Sequence, residues 1–222
     1  MPIPDFTSPV LFPSFSALPL TTTTTTNPQD DSQPATDPVP DPVPDPERDW
    51  YLLAQISQNM TLTKPTLICA DASSQTFALV FDTPHDTLDL AAMGLKRGCT
   101  AVVRCARRTP PDEEGKKQGF VRIEKGREAA VRVVPGPLER VVAVGRRLRG
   151  EQAGEEQAEE EKEDRGCESC GKREGRDGGA LMRCTGCGEA RYCGKECQVK
   201  GWNEGGHKAD CKIIKGIRAI WP

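Results

Sequence analysis

Aromatic residues are scarce in this chain, 5% of 222 positions, and hydrophobic residues of all kinds reach only 36%. A chain so supplied cannot fill a core along its whole length, so part of it is expected to stay unfolded. Long apolar runs are also missing, which excludes a membrane-spanning helix. The first residues, MPIPDFTSPVLFPSF, lack the basic stretch followed by an unbroken apolar one that marks a secretory signal. An intracellular protein is expected, in the nucleus or the cytoplasm. Histidine occurs only twice, as His85 and His207.

Charge is present in blocks that the net value of −3 hides. Residues 1–49 carry −7, residues 50–149 carry +6, residues 150–166 carry −6 and residues 167–222 carry +4. These borders divide the chain better than its total does. Residues 1–47 hold twelve prolines, six consecutive threonines (Thr21 to Thr26) and the repeat DPVPDPVPDP. Each proline fixes φ and removes a backbone donor, so a disordered tail with polyproline II character is expected there.

Residues 48–149 read as a small α+β domain, with an OB-like open barrel as one form of it. DWYLLAQISQNM places Trp50, Leu53, Ala54, Ser57 and Met60 at helical spacing behind Asp49, which predicts a short capped helix. Five β-rich runs follow: TLICADA, TFALVFDT, CTAVVRCARR, FVRIEKG and EAAVRVV. TPPDEEGKKQG reads as an exposed hairpin loop, and PLERVVAVGRRLRG as a helix with Pro137 in its first turn and Leu138, Val141, Val142, Gly145 and Leu148 on one face. Residues 150–166 form an acidic linker with no apolar face.

Seven of the ten cysteines lie between residues 167 and 211, together with His207. Their order is Cys167-x2-Cys170, x13, Cys184-x2-Cys187, x5, Cys193-x3-Cys197, x9, His207-x3-Cys211. Structural zinc takes four thiolate or imidazole ligands, and a pair two or three residues apart presents both from one tight turn. Eight ligands in four pairs imply two zinc ions. A disulfide framework is excluded by the odd number of cysteines and the histidine among them. With four protein ligands each, the ions hold no open position for water or substrate, so they are folding devices, each contributing roughly 10–16 kcal/mol of apparent binding energy. Seven thiolates and two zinc ions reduce the segment's +4 to about +1, so its basicity is no argument for nucleic acid. Spacing alone leaves both sequential and interleaved sharing of the ligands open.

The order Cys-x2-Cys, Cys-x2-Cys, YCGKECQ, Trp202 and HKADC resembles the MYND-type zinc finger, over residues 167–211 of a finger spanning 167–215. The resemblance implies interleaved sharing: Cys167, Cys170, Cys193 and Cys197 on one ion, Cys184, Cys187, His207 and Cys211 on the other. It departs from the family in the long spacer GKREGRDGGALMR and in the four residues between Trp202 and His207. Because the finger and the middle domain share no ligand, chelation is expected to unfold residues 167–215 and leave the β structure in place.

Gln198 and Trp202, four apart, share one face of a helix. Either Trp202 fills the space between the zinc sites, or the pair forms a shallow groove for a proline-rich peptide. The family resemblance favours the groove, since MYND fingers bind short Pro-x-Leu-x-Pro segments of partner proteins. That implies an adaptor or transcriptional co-regulator, and PVLFP, Pro9 to Pro13, fits the same pattern as a ligand within the chain itself. Two other functions carry less. An enzyme would need a nucleophile with a base, whereas His85 sits in an exposed loop and Cys69, Cys99 and Cys105 fall in apolar strands as buried thiols; none is expected. A nucleic-acid-binding barrel would use Arg104, Arg107, Arg108, Lys116, Lys117, Arg122, Arg127 and Arg132, but Phe120 is the main aromatic there for a base to stack on.

Overall fold

A computed structural model of the chain describes residues 2–21, 49–111, 118–150, 166–176 and 178–222. Within them a curled sheet of six strands is followed by helices that carry the metal ligands. The strands are β1 (Tyr51–Asn59), β2 (Thr66–Ala70), β3 (Thr76–Phe81), β4 (Thr100–Arg104), β5 (Val121–Ile123) and β6 (Val131–Val134). All five expected strands are present, and β1 makes a sixth.

The predicted helix at residues 49–60 is instead β1, and the reason is burial on both faces. Leu52, Ala54 and Ile56 alternate into the barrel, while Tyr51 and Leu53 point into a second core on the opposite side. Such a strand reads as a continuous apolar run, which periodicity alone does not separate from a helix. Asp49 precedes a strand, not a helix, and its carboxylate pairs with Arg104 at 2.8 Å.

The sheet order is β5-β3-β2-β1-β4-β6. The first half of β1 pairs with β4 and the second half with β2, both antiparallel, and β3 runs parallel to β5. Past β4 the chain turns at Cys105, whose φ is +50°, and Arg108 pairs with Val121 of β5. The extension of β4 thus closes the curl onto β5 through one bridge, while β6 stays at the other edge, so the sheet is a curled half-barrel. Leu90 and Leu95, from the turns between β3 and β4, are buried in the barrel core.

The expectation of an unfolded tail from residue 1 does not hold for residues 2–21. Phe15 is 1% exposed and stacks on Phe77 with ring centroids 4.5 Å apart, and its N–H donates to Asp71 at 2.8 Å. Further on, Thr21 N–H donates to the Arg108 carbonyl at 2.9 Å, so this segment straps the barrel where it closes. PVLFP is held at the surface of the fold: the Leu11 carbonyl accepts from Tyr51 N–H at 2.7 Å and Phe12 packs on Tyr51 and Trp221, while Val10 stays 80% exposed. These contacts are to β1 and to Trp221 after the chain's last helix, and none is to Gln198 or Trp202. The rest of the proline-rich tail, residues 22–47, lies outside the described residues, as do residue 48, residues 112–117 of the expected hairpin loop and residues 151–165 of the acidic linker.

Helix α1 (Leu138–Arg149) forms where predicted, with Pro137 immediately before it. Leu138, Val141, Val144, Gly145 and Leu148 face the second core, and Gly150 ends the helix in a left-handed conformation, φ +85°. Gly145 is required by contact: a Cβ there would lie 2.1 Å from the ring of Phe6. Beside α1 on the same outer face of the sheet lies α3 (His207–Ile220), which places Ile213, Ile214 and Ile217 against Tyr51, Val102 and Val134. One helix therefore begins among the metal ligands and ends in the core that covers the barrel.

Candidate metal centre

Residues 167–206 build the rest of the ligand frame around a two-stranded ribbon, β7 (Met182–Arg183) and β8 (Arg191–Tyr192), and helix α2 (Lys195–Asn203). Each Cys-x2-Cys pair sits in a tight turn closed by a glycine N–H. Gly171 donates to the Cys167 carbonyl at 2.7 Å and Gly188 to that of Cys184 at 2.8 Å. Both glycines have φ of +74°, which only glycine adopts without strain. Cys193 follows β8, Cys197 stands in the first turn of α2, and His207 and Cys211 occupy the first two turns of α3.

These elements gather the eight ligands into two tetrads, Cys167, Cys170, Cys193 and Cys197, and Cys184, Cys187, His207 and Cys211. Within each, the ligand atoms lie within 4.8 Å of one another. Sulfur separations are 3.5 Å for Cys170–Cys193, 3.5 Å for Cys193–Cys197 and 3.9 Å for Cys184–Cys211, and Cys187 Sγ is 3.7 Å from His207 Nε2. A zinc–sulfur distance of 2.3 Å at a tetrahedral angle requires ligand atoms about 3.7 Å apart. A disulfide would require about 2.05 Å. The sharing is the interleaved one that the family resemblance implies.

The electrostatics point the same way. Burial opposes ionisation of Cys167, but the amides of Cys193, Ser169 and Cys170 outweigh it and hold the thiol at about 6. Cys184 is held at about 6 by His207 and the amides of Cys187 and Gly186, again against burial. Their neighbours go the other way. Cys193 rises to about 12 through its contacts with Cys197 and Cys170, and Cys211 to about 12 through burial and the charges of Cys187 and Cys184. Four sulfurs in the first tetrad and three in the second repel one another as anions, and a doubly charged cation removes that repulsion. The residues present fit two zinc ions.

The space between the tetrads is filled by Tyr192, 1% exposed, with its ring edge-on to His207 at 5.9 Å. Gly201 of α2 makes room for it, since a Cβ at 201 would lie 2.6 Å from the Tyr192 ring. Trp202 is therefore not the filler. It lies 5.8 Å from the His207 ring and remains 37% exposed, with Val199, 50% exposed, one turn earlier and Gln198 half-buried beside them. Tyr192 stands next to Cys193 in the sequence, where adjacency to a ligand is the one signal of its packing role.

Residues 167–211 match the profile of the MYND finger. That range contains both tetrads in full. Residues 167–211 are a MYND finger. Human histone-lysine N-methyltransferase SMYD3 is 43% identical to this chain over 42 residues, 19% of the chain and 9% of that protein. The similarity to it thus belongs to the finger region alone. MYND fingers are known for protein–protein interaction.

Other residues singled out in the sequence lie apart from this centre. His85 is exposed in the turns after β3. Cys69 is fully buried inside the barrel, which pushes its thiol up to about 12. Cys99 and Cys105 flank β4 rather than lie within it and are half-buried. The basic residues of the barrel do not form one free surface: Arg104 pairs with Asp49, Arg122 with Asp82 at 2.6 Å, and Arg107 lies over the Trp50 ring. The outward side chains of β2 and β3, among them Ile68, Ala78 and Val80, include no aromatic ring on which a base could stack. Lys116 and Lys117 lie outside the described residues. No helix among the described residues is long and apolar enough to cross a membrane.

Proposed function

We propose that this chain is an intracellular adaptor or transcriptional co-regulator without catalytic activity of its own, and that it docks short proline-rich segments of partner proteins on helix α2. The observation that carries the reading is the division of labour between Tyr192 and Trp202. Tyr192 already fills the space between the tetrads, so burial gives no reason for an indole at position 202. An exposed Trp beside an exposed Val and a side-chain amide is the composition of a peptide-docking surface: the indole and Val199 pack on proline rings, and Gln198 bonds the peptide backbone. Both tetrads use four protein ligands, so the ions serve as supports for this surface and leave no open coordination position.

The test is titration of a labelled Pro-x-Leu-x-Pro peptide against the zinc-loaded full-length chain and its Trp202→Ala variant. Loss of a central Trp anchor is expected to weaken binding about thirtyfold. Zinc content stays at two ions in the variant. Unchanged affinity, or loss of zinc together with affinity, would remove the surface from the account.

A further inference from the structure

The two tetrads differ in charge, in exposure and in what holds them. Four thiolates around a doubly charged ion leave the first with a charge of about −2, while three thiolates and a neutral imidazole leave the second with about −1. In the second, Cys184, His207 and Cys211 are 3–5% exposed. Its helix is fixed by Ile213, Ile214 and Ile217 in the core over the barrel. In the first, only Cys167 is buried and Cys170 is exposed. Cys170, Cys193 and Cys197 line an open cleft of about 730 Å³, bordered by Lys172, Arg173 and Glu196. The more electron-rich sulfurs are thus also the ones a small solute can reach.

We propose that the first tetrad is a redox modification site: hydrogen peroxide oxidises Cys170 and Cys193 to a disulfide and expels that zinc ion, while the second ion and the barrel stay in place. The Cys170 thiolate attacks one peroxide oxygen, the O–O bond breaks, hydroxide leaves and a sulfenic acid remains. Cys193 Sγ, 3.5 Å away, then attacks the Cys170 sulfur, the S–S bond forms and a second hydroxide leaves. Two thiolates lose two electrons, the peroxide gains two, and the hydroxides take protons from solvent to become water. The ion keeps only Cys167 and Cys197 and dissociates. Cys197 lies in the first turn of α2, so its release loosens the helix that displays Gln198 and Trp202. This last consequence rests on the peptide-docking reading above; the oxidation site does not.

The experiment adds hydrogen peroxide to the zinc-loaded full-length protein beside a chromogenic chelator, maps disulfides by mass spectrometry, and follows peptide affinity separately. One equivalent of zinc is expected to leave about tenfold faster than the other, with a Cys170–Cys193 disulfide and an unchanged thermal transition of the barrel. Release of both ions at one rate would overturn the proposal. So would retention of both, or first oxidation at Cys184, Cys187 or Cys211. A variant with Cys99→Ser and Cys105→Ser leaves both tetrads intact and is expected to release zinc identically; slower release would assign the reactive thiol elsewhere and overturn it. A peptide bound by neither form removes the docking reading, whereas the zinc count alone decides the oxidation site.

Discussion

Asp210, one residue before the ligand Cys211, accepts an ion pair from Arg140 of α1 at 2.7 Å and a second from Arg147 at 3.1 Å. Arg140 also donates to the Gly206 carbonyl at 3.0 Å, at the start of α3. These contacts lock the ligand-bearing turns of α3 to a helix of the barrel domain. Asp210 is 8% exposed, but both arginines are partly solvated, so the pairs are worth less than fully buried ones. Asp210→Ala is expected to cost about 1–2 kcal/mol by chemical denaturation of the zinc-loaded protein. Arg140→Ala is expected to cost less, because Arg147 still reaches the carboxylate.

The second prediction concerns the N-terminal strap. Phe15→Ala removes a buried ring from the barrel core and is expected to destabilise the protein by about 3–5 kcal/mol. In a chain of this size that corresponds to a fall in melting temperature of roughly 10 °C. A change within about 1 °C would return residues 2–21 to the status of a free tail, since surface substitutions cost almost nothing.

What the sequence made legible followed the chemistry of single residues. Ligand spacing identified all eight donors, because tetrahedral zinc tolerates few patterns. Their sharing needed the family resemblance, since it is set by the β7–β8 ribbon and the entry of α3. The misread elements share one cause, burial by contacts distant in sequence. Tyr51 and Leu53 lie under helices more than eighty residues later, which gave β1 its helix-like run. Ile3, Phe6, Phe15 and Leu18 are apolar anchors spaced among prolines, with no period that marks them as core. Ile213, Ile214 and Ile217 have helical spacing, but the core they enter belongs to strands more than seventy residues earlier, which spacing alone does not reveal.

The finger and the barrel share no ligand, but they share α3, so the effect of chelation is not confined to residues 167–215. Chelation is expected to release His207 and Cys211, fray α3 and uncover the outer face of β1, β4 and β6. The barrel's melting temperature then falls by roughly 5 °C or more, with apolar dye binding rising as the isoleucines withdraw. A barrel transition unmoved by chelation would show that the core over the sheet holds α3 without metal.

The central claim, two interleaved metal sites with the second built on a helix of the barrel core, is tested most directly by replacing zinc with NMR-active cadmium and correlating each ion with cysteine β-protons. The account predicts two cadmium signals, one coupled to Cys167, Cys170, Cys193 and Cys197, the other to Cys184, Cys187 and Cys211 and to the His207 ring. A cadmium coupled to both Cys167 and Cys184, or a single signal at saturating metal, would contradict it.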